Sequence, residues 1–224
     1  MKKYMLKYQA YHAFFLLFLL AGIYIFVQLD PVVISGELWQ ISSIYWLLLA
    51  LLVPVVHQVY VVLCWRLELY AKKLTSWFGD SAFQVYRRWF AILILARPVS
   101  LVLLAISNQR TLALDPVIAS ILAGLLLLPA SYLFYSVKKY FGFDRAFGID
   151  HFEPEKYRKV PLVKKGIFRY TDNGMYTFGF LLLYVPGLIW LSKAALLAAF
   201  FQHLYIWVHH YSTEKPDMKV IYGP

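Results

Sequence analysis

Long apolar runs separated by short polar stretches dominate this chain. They cover Tyr11 to Leu29, Ile44 to Trp65, Trp89 to Ile106, Pro116 to Val137, Tyr176 to Leu191 and Ala194 to His210. Each approaches the roughly 20 residues a helix needs to cross about 30 Å of hydrocarbon. The runs are continuous rather than alternating, which suits helices and not the strands of a barrel. The pattern predicts an all-α polytopic membrane helix bundle of about six spans. The first stops at Asp30-Pro31, and the third carries Arg97-Pro98 inside it. Only Ser192-Lys193 joins the last two, which leaves room for nothing but a tight helical hairpin. The loop bearing Arg66, Glu68, Lys72, Lys73 and Asp80 can hold a short interfacial helix, and a long polar loop runs from Lys138 to Asn173.

Composition agrees with this reading. The 224 residues are 61% hydrophobic and 15% charged, too apolar for a soluble domain of this size. The basic N-terminus followed by an apolar run resembles a signal peptide. That run exceeds the roughly 7–15 residues of a signal core and no small-residue cleavage site follows, so it reads as the first span. No repeat or internal boundary divides the chain. Residues 1–224 form one integral-membrane domain, with spans 1–4 in 1–137 and the loop, hairpin and tail in 138–224.

The net charge of +10 raises the question of nucleic acid. Its distribution answers against it. Of the 22 Lys and Arg residues, all but Arg97, Arg110 and Lys193 fall before span 1, between spans 2 and 3, between spans 4 and 5, or after span 6. An even number of spans puts these segments on one side, and the positive-inside rule makes that side cytoplasmic, with both termini. The same basic collar attracts anionic lipid head groups.

Soluble-enzyme motifs are absent: no P-loop, no GxGxxG after a strand, no HExxH and no GxSxG. Cys64 is the single cysteine and sits in an apolar run, which excludes a disulfide framework. Any chemistry therefore belongs to the helices and their polar ends. Two clusters flank the final hairpin: Arg169 to Tyr176 before it, and His209 to Met218 after it. Gly166 and Gly174 permit close backbone approach or positive φ. Tyr170 and Tyr176 can sit at the head-group level, as an ordinary interfacial belt does. In the second cluster a carboxylate can hold an ammonium group or act as a base, and His can relay a proton. His209 and His210 point about 100° apart on a helix, so a shared metal ion ranks below a proton relay or packing, and no metal is assigned. His57 and Arg97 are intramembrane polar groups, for which function is the default expectation. Arg97-Pro98 can equally mark a kink whose freed carbonyl the guanidinium satisfies.

The run GIFRYTDNGMYTFGF resembles the signature of the integral-membrane methyltransferases, which include phospholipid N-methyltransferases and isoprenylcysteine carboxyl methyltransferases. Gly166, Arg169, Tyr170, Asp172, Asn173, Tyr176 and Gly179 stand in register with it. The Tyr140 to Gly142 segment is similar to one upstream of that signature, and Glu214 stands where the family places an essential acid. The resemblance covers about 138–222. Gly174 replaces the family's usual Pro, the tail has one acid where the family has two, and only Ala123-Gly124 approaches a Gly-x-Gly in span 4.

The resemblance implies S-adenosylmethionine bound at the cytoplasmic ends of spans 5 and 6. Gly166, Tyr170, Asn173, Met175, Tyr176 and Glu214 would bind it, and Glu214, His210 and Arg169 would be catalytic. Asp150 and His151 are further candidates for the base. The implied reaction is methyl transfer to a membrane lipid or lipidated substrate, first the amine of a phospholipid such as phosphatidylethanolamine. An isoprenylated cysteine carboxylate or a small hydrophobic acceptor fits the same fold. A non-catalytic scaffold or a transporter is the reading from another class. The sequence assigns no oligomeric state.

Overall fold

The structure, a computed structural model, describes residues 5–223. Lys2 and Lys3 of the basic collar lie outside the described residues. Helix α1 spans Gln9–Leu29 and stops where expected: the Asp30 N–H bonds the Phe26 carbonyl at 2.9 Å, and its carboxylate accepts from the N–H of Val32. A 3-10 turn, Pro31–Ile34, and a two-residue hairpin pairing Glu37–Leu38 with Ile41–Ser42 lead into α2, Ser43–Ala71. Helix α3, Lys73–Phe78, fills the place of the expected interfacial helix, and α4 covers Ala82–Ser107. Helix α5 covers Pro116–Ser136 and runs on as a π turn, Val137–Phe141. Short turns occupy the long polar loop. The hairpin follows as α6, Gly174–Phe178, a 3-10 stretch Gly179–Tyr184, α7, Val185–Ile189, and α8, Lys193–His209. A second π turn, His210–Glu214, and α9, Lys215–Tyr222, complete the chain.

The result is an all-α polytopic bundle. Among the described residues, four helical stretches are long and apolar enough to cross a membrane: Gln9–Leu29, Ser43–Ala71, Lys73–Ser107 and Pro116–Phe141. The hairpin arms are shorter, and the first of them departs from the single helix expected over Tyr176 to Leu191. It breaks into three pieces because small residues press it against its neighbours. A Cβ on Gly179 would lie 2.8 Å from a Leu133 methyl, and one on Gly187 would lie 2.7 Å from the Leu196 side chain. Helices α2 and α4 also extend beyond the expected spans. Arg66 and Glu68, charged residues beyond the end of the apolar run, are buried with partners and carry α2 onward to Ala71.

Helix α8 is the centre of the bundle. Ala194, Ala195, Ala198 and Ala199 are fully buried and admit α2 and α4 to close range, packing on Leu47, Ala50, Leu101, Leu104 and Ala105. Small residues promote such contacts where lipid removes the hydrophobic drive between helices. Gln202 adds a hydrogen bond to the Ala50 carbonyl at 3.0 Å. Asn108 pins the hairpin turn: its amide donates to the Val32 and Ser35 carbonyls, and its oxygen accepts from Ser192 Oγ and the Ala194 N–H. Lys193 pairs with Asp30 at the same end, 2.6 Å apart. The opposite end gathers Arg66, Lys72, Arg87, Arg145, Arg158 and the C-terminal tail.

Candidate functional site

The approach to the hairpin is a 3-10 turn, Gly166–Arg169, seated on the end of α5. Gly166 adopts φ +60, and a Cβ there would fall 2.6 Å from Ser136 Oγ. The N–H of Ile167 donates to that oxygen at 3.1 Å, while the Ser136 hydroxyl donates to the Tyr132 carbonyl. Ile167 and Phe168 then pack on Leu133 and Val137. Only glycine meets both the backbone and the contact demands at 166. Gly174 serves a different purpose: its backbone is helical, and its missing side chain makes room for Ile167, whose methyl would lie 3.2 Å from a Cβ.

The first turn of α6 brings Tyr176 to the end of α8. Its hydroxyl donates to Glu214. His210 Nδ1 lies 3.1 Å from the same carboxylate oxygen, and the Tyr176 and His210 rings are 5.4 Å apart. Trp207 packs edge-on against both rings. Glu214 reaches this position through the π turn, in which the Lys215 N–H bonds the His210 carbonyl five residues back. Such bulges recur at functional sites because they re-aim side chains.

A buried clamp holds that turn. Arg66, from α2, donates to the Ser212 carbonyl at 3.1 Å, to the carbonyls of Met5 and Lys7, and to Asp217 at 3.4 Å. Tyr70 donates to the other Asp217 oxygen at 2.8 Å. Burial pushes the Asp217 carboxyl upward, against the opposing pull of Arg66, His151 and Tyr70. One guanidinium thereby joins the N-terminal segment, α2, the π turn and α9. In the sequence Arg66 reads only as part of the basic collar.

Below the Tyr176 cluster lies a cavity of about 410 Å³. Met175, Tyr176, Gly179 and Phe180 form one wall, α4 another, and Trp65, His57 and His209 the floor. Of the expected residues, the structure brings together Tyr176, His210 and Glu214, and places Met175 on the cavity. Asn173 is half-buried as the cap of α6, and Gly166 acts through the backbone. Arg169 and Tyr170 are exposed and make no contact with Glu214 among the described residues. Asp172 faces outward to Lys164. Asp150 and His151 hydrogen-bond each other at 3.1 Å, and Tyr222 donates to Asp150. His151 stacks on Trp65, ring centroids 3.9 Å apart, so the pair is directed into the tail rather than toward Glu214. His209 and His210 do point apart: His209 faces Trp65 and His12. Trp65, Phe180 and the clamp residues carry no local motif, and their partners come from distant segments.

Residues 118–224 match the family model described as phospholipid methyltransferase. The match begins near the start of α5, earlier than the segment carrying the resemblance, and includes the hairpin, both π turns and α9. No curated protein and no solved structure matches the chain. A hairpin that joins Tyr176 to Glu214 at one end of a membrane bundle agrees with this match, and together they support a membrane methyltransferase of the phospholipid or isoprenylcysteine type.

Proposed function

We propose that the protein transfers a methyl group from S-adenosylmethionine to a membrane-embedded acceptor, in the first instance the amine of a phospholipid. The observation that carries this reading is the convergence of Tyr176, His210 and Glu214 beside a cavity within the bundle. Bound there, S-adenosylmethionine supplies an electrophilic methyl on a sulfonium. The residues present fit such a group: a carboxylate held by the Tyr176 hydroxyl and His210 Nδ1, with Trp207 packed edge-on against both rings, places an anion beside aromatic side chains, which suits a cation.

In this reading Glu214 holds positive charge and Tyr176 orients the carboxylate. His210, with Nδ1 engaged by Glu214, has Nε2 left to take the proton that an amine acceptor sheds. Trp207, Met175 and Phe180 exclude water and align the reactants, the main requirements of an in-line transfer. The basic end of the bundle, with the site, faces the cytoplasm under the positive-inside rule.

Isothermal titration of the purified protein with S-adenosylmethionine tests the cofactor assignment. Saturable binding that Glu214→Gln weakens about tenfold or more is expected. Binding that is absent, or unchanged in the variant, counts against it.

A further inference from the structure

Arg97 lies near the middle of α4, 1% exposed, and lines the cavity with the buried His57 and His209. All three guanidinium nitrogens, both ring nitrogens of His57 and Nδ1 of His209 make no hydrogen bond among the described residues. Arg97 stacks over Phe180, 5.5 Å from the ring centre, and the ionisable groups that face it are Tyr205, Tyr176, His57 and His209. No carboxylate is among them. Nor does the guanidinium satisfy the carbonyl that Pro98 frees within α4, as the kink reading would require. A guanidinium stays charged, and an unpaired charge at membrane depth is costly. Six unsatisfied nitrogens on three residues that line one cavity form a site short of its anion.

The walls show how such an anion arrives. Helices α4 and α5 hardly touch, and Leu95, Phe134 and Phe143 stand exposed at the rim between them. The opening is lateral and apolar, suited to a hydrocarbon tail rather than a free ion.

We propose that this cavity binds the acidic group, a carboxylate or a phosphate, of an amphiphile arriving sideways between α4 and α5. Arg97 is its ion-pair partner, and His57 and His209 supply further hydrogen bonds. Met175 and Tyr176 wall the same cavity. On the methyl-transfer reading, on which this last step alone rests, the amphiphile is the methyl acceptor, and Arg97 selects acceptors bearing an acid. Arg97 and His57 lie outside the family match, so this selection belongs to the chain's own upstream helices.

The test is equilibrium binding of three labelled probes to the purified full chain in a neutral detergent: palmitic acid, hexadecyl phosphate and hexadecanol. At least one acid is expected to bind about tenfold or more tightly than the alcohol. Which acid binds better distinguishes a carboxylate from a phosphate headgroup. Arg97→Gln should abolish the preference and Arg97→Lys should retain part of it, as a point charge without the planar fork. Equal binding of alcohol and acids by the wild-type chain overturns the proposal without recourse to any variant, as does an acid preference that survives Arg97→Gln. Methyl transfer without acid preference removes the cavity assignment alone. Acid-selective binding without methyl transfer removes the methyltransferase reading and leaves the anion site standing.

Discussion

The hydroxyl of Tyr176 donates a hydrogen bond to the carboxylate of Glu214, across a hairpin whose arms run the depth of the bundle. His210 contacts the same carboxylate oxygen. Removing the phenol hydroxyl leaves the ring packing against Trp207 and His210 in place while taking away one of the hydrogen bonds that orient the carboxylate. Tyr176→Phe is therefore expected to keep the fold and weaken S-adenosylmethionine binding about tenfold to a hundredfold, the range for a hydrogen bond to a charged group. Titration of the purified variant checks this, with its thermal midpoint as the control for folding.

The clamp at Arg66 predicts a stability effect. Asp217 and Arg66 are both buried, so removing one takes an opposite charge away from the other inside the protein. Asp217→Asn is expected to destabilise the detergent-solubilised protein by about 3–5 kcal/mol. Pairing it with Arg66→Met should recover part of the loss. Thermal unfolding of the single and double variants measures both, and additive losses would show that the pair is not coupled.

Gly166→Ala meets two obstacles at once, the positive φ and the contact with Ser136 and Tyr140. A loss of about 2 kcal/mol or more is expected from left-handed backbone and overpacking together. Restoring the family's proline at 174 is also predicted to destabilise. Proline suits a first helical turn, but Asn173 before it holds ψ 30, away from the extended backbone that a following proline favours. Thermal midpoints should fall for both variants.

Much of this arrangement is legible in the chain. Apolar runs give the helices because hydrocarbon leaves little alternative for the backbone. Asp30-Pro31 marks the end of α1, and the brevity of Ser192-Lys193 fixes the hairpin that brings Tyr176 to Glu214. The break of the first arm into three pieces is not legible, because it depends on where Leu133 and Leu196 meet Gly179 and Gly187. The role of Arg66 is hidden for the same reason: its partners include residues 5, 7, 212 and 217, which no local pattern links to it. Arg97 announces itself as an intramembrane charge, but only the fold shows that it lines a cavity with no acid among the described residues around it.

The ion pair at the other end responds to pH. The hydrogen bond from Lys193 holds the Asp30 carboxyl below its usual 3.8. A depressed folded value means that the pair contributes stability above pH 3.8, and that this contribution fades as pH falls through the lower folded value. Asp30→Asn should accordingly lower the thermal midpoint at pH 6, and the gap from wild type should close in stronger acid. A gap unchanged by acid would show that the carboxylate charge is not what matters there.

Transfer of labelled methyl from S-adenosylmethionine into membrane lipid tests the central claim most directly, comparing wild-type membranes with those bearing Glu214→Gln. The account predicts label in a lipid fraction that falls about a hundredfold or more in the variant, as expected when an electrostatic partner of the reacting group is lost. Equal labelling by the two proteins, or none by the wild type with any lipid or lipidated acceptor, would contradict it.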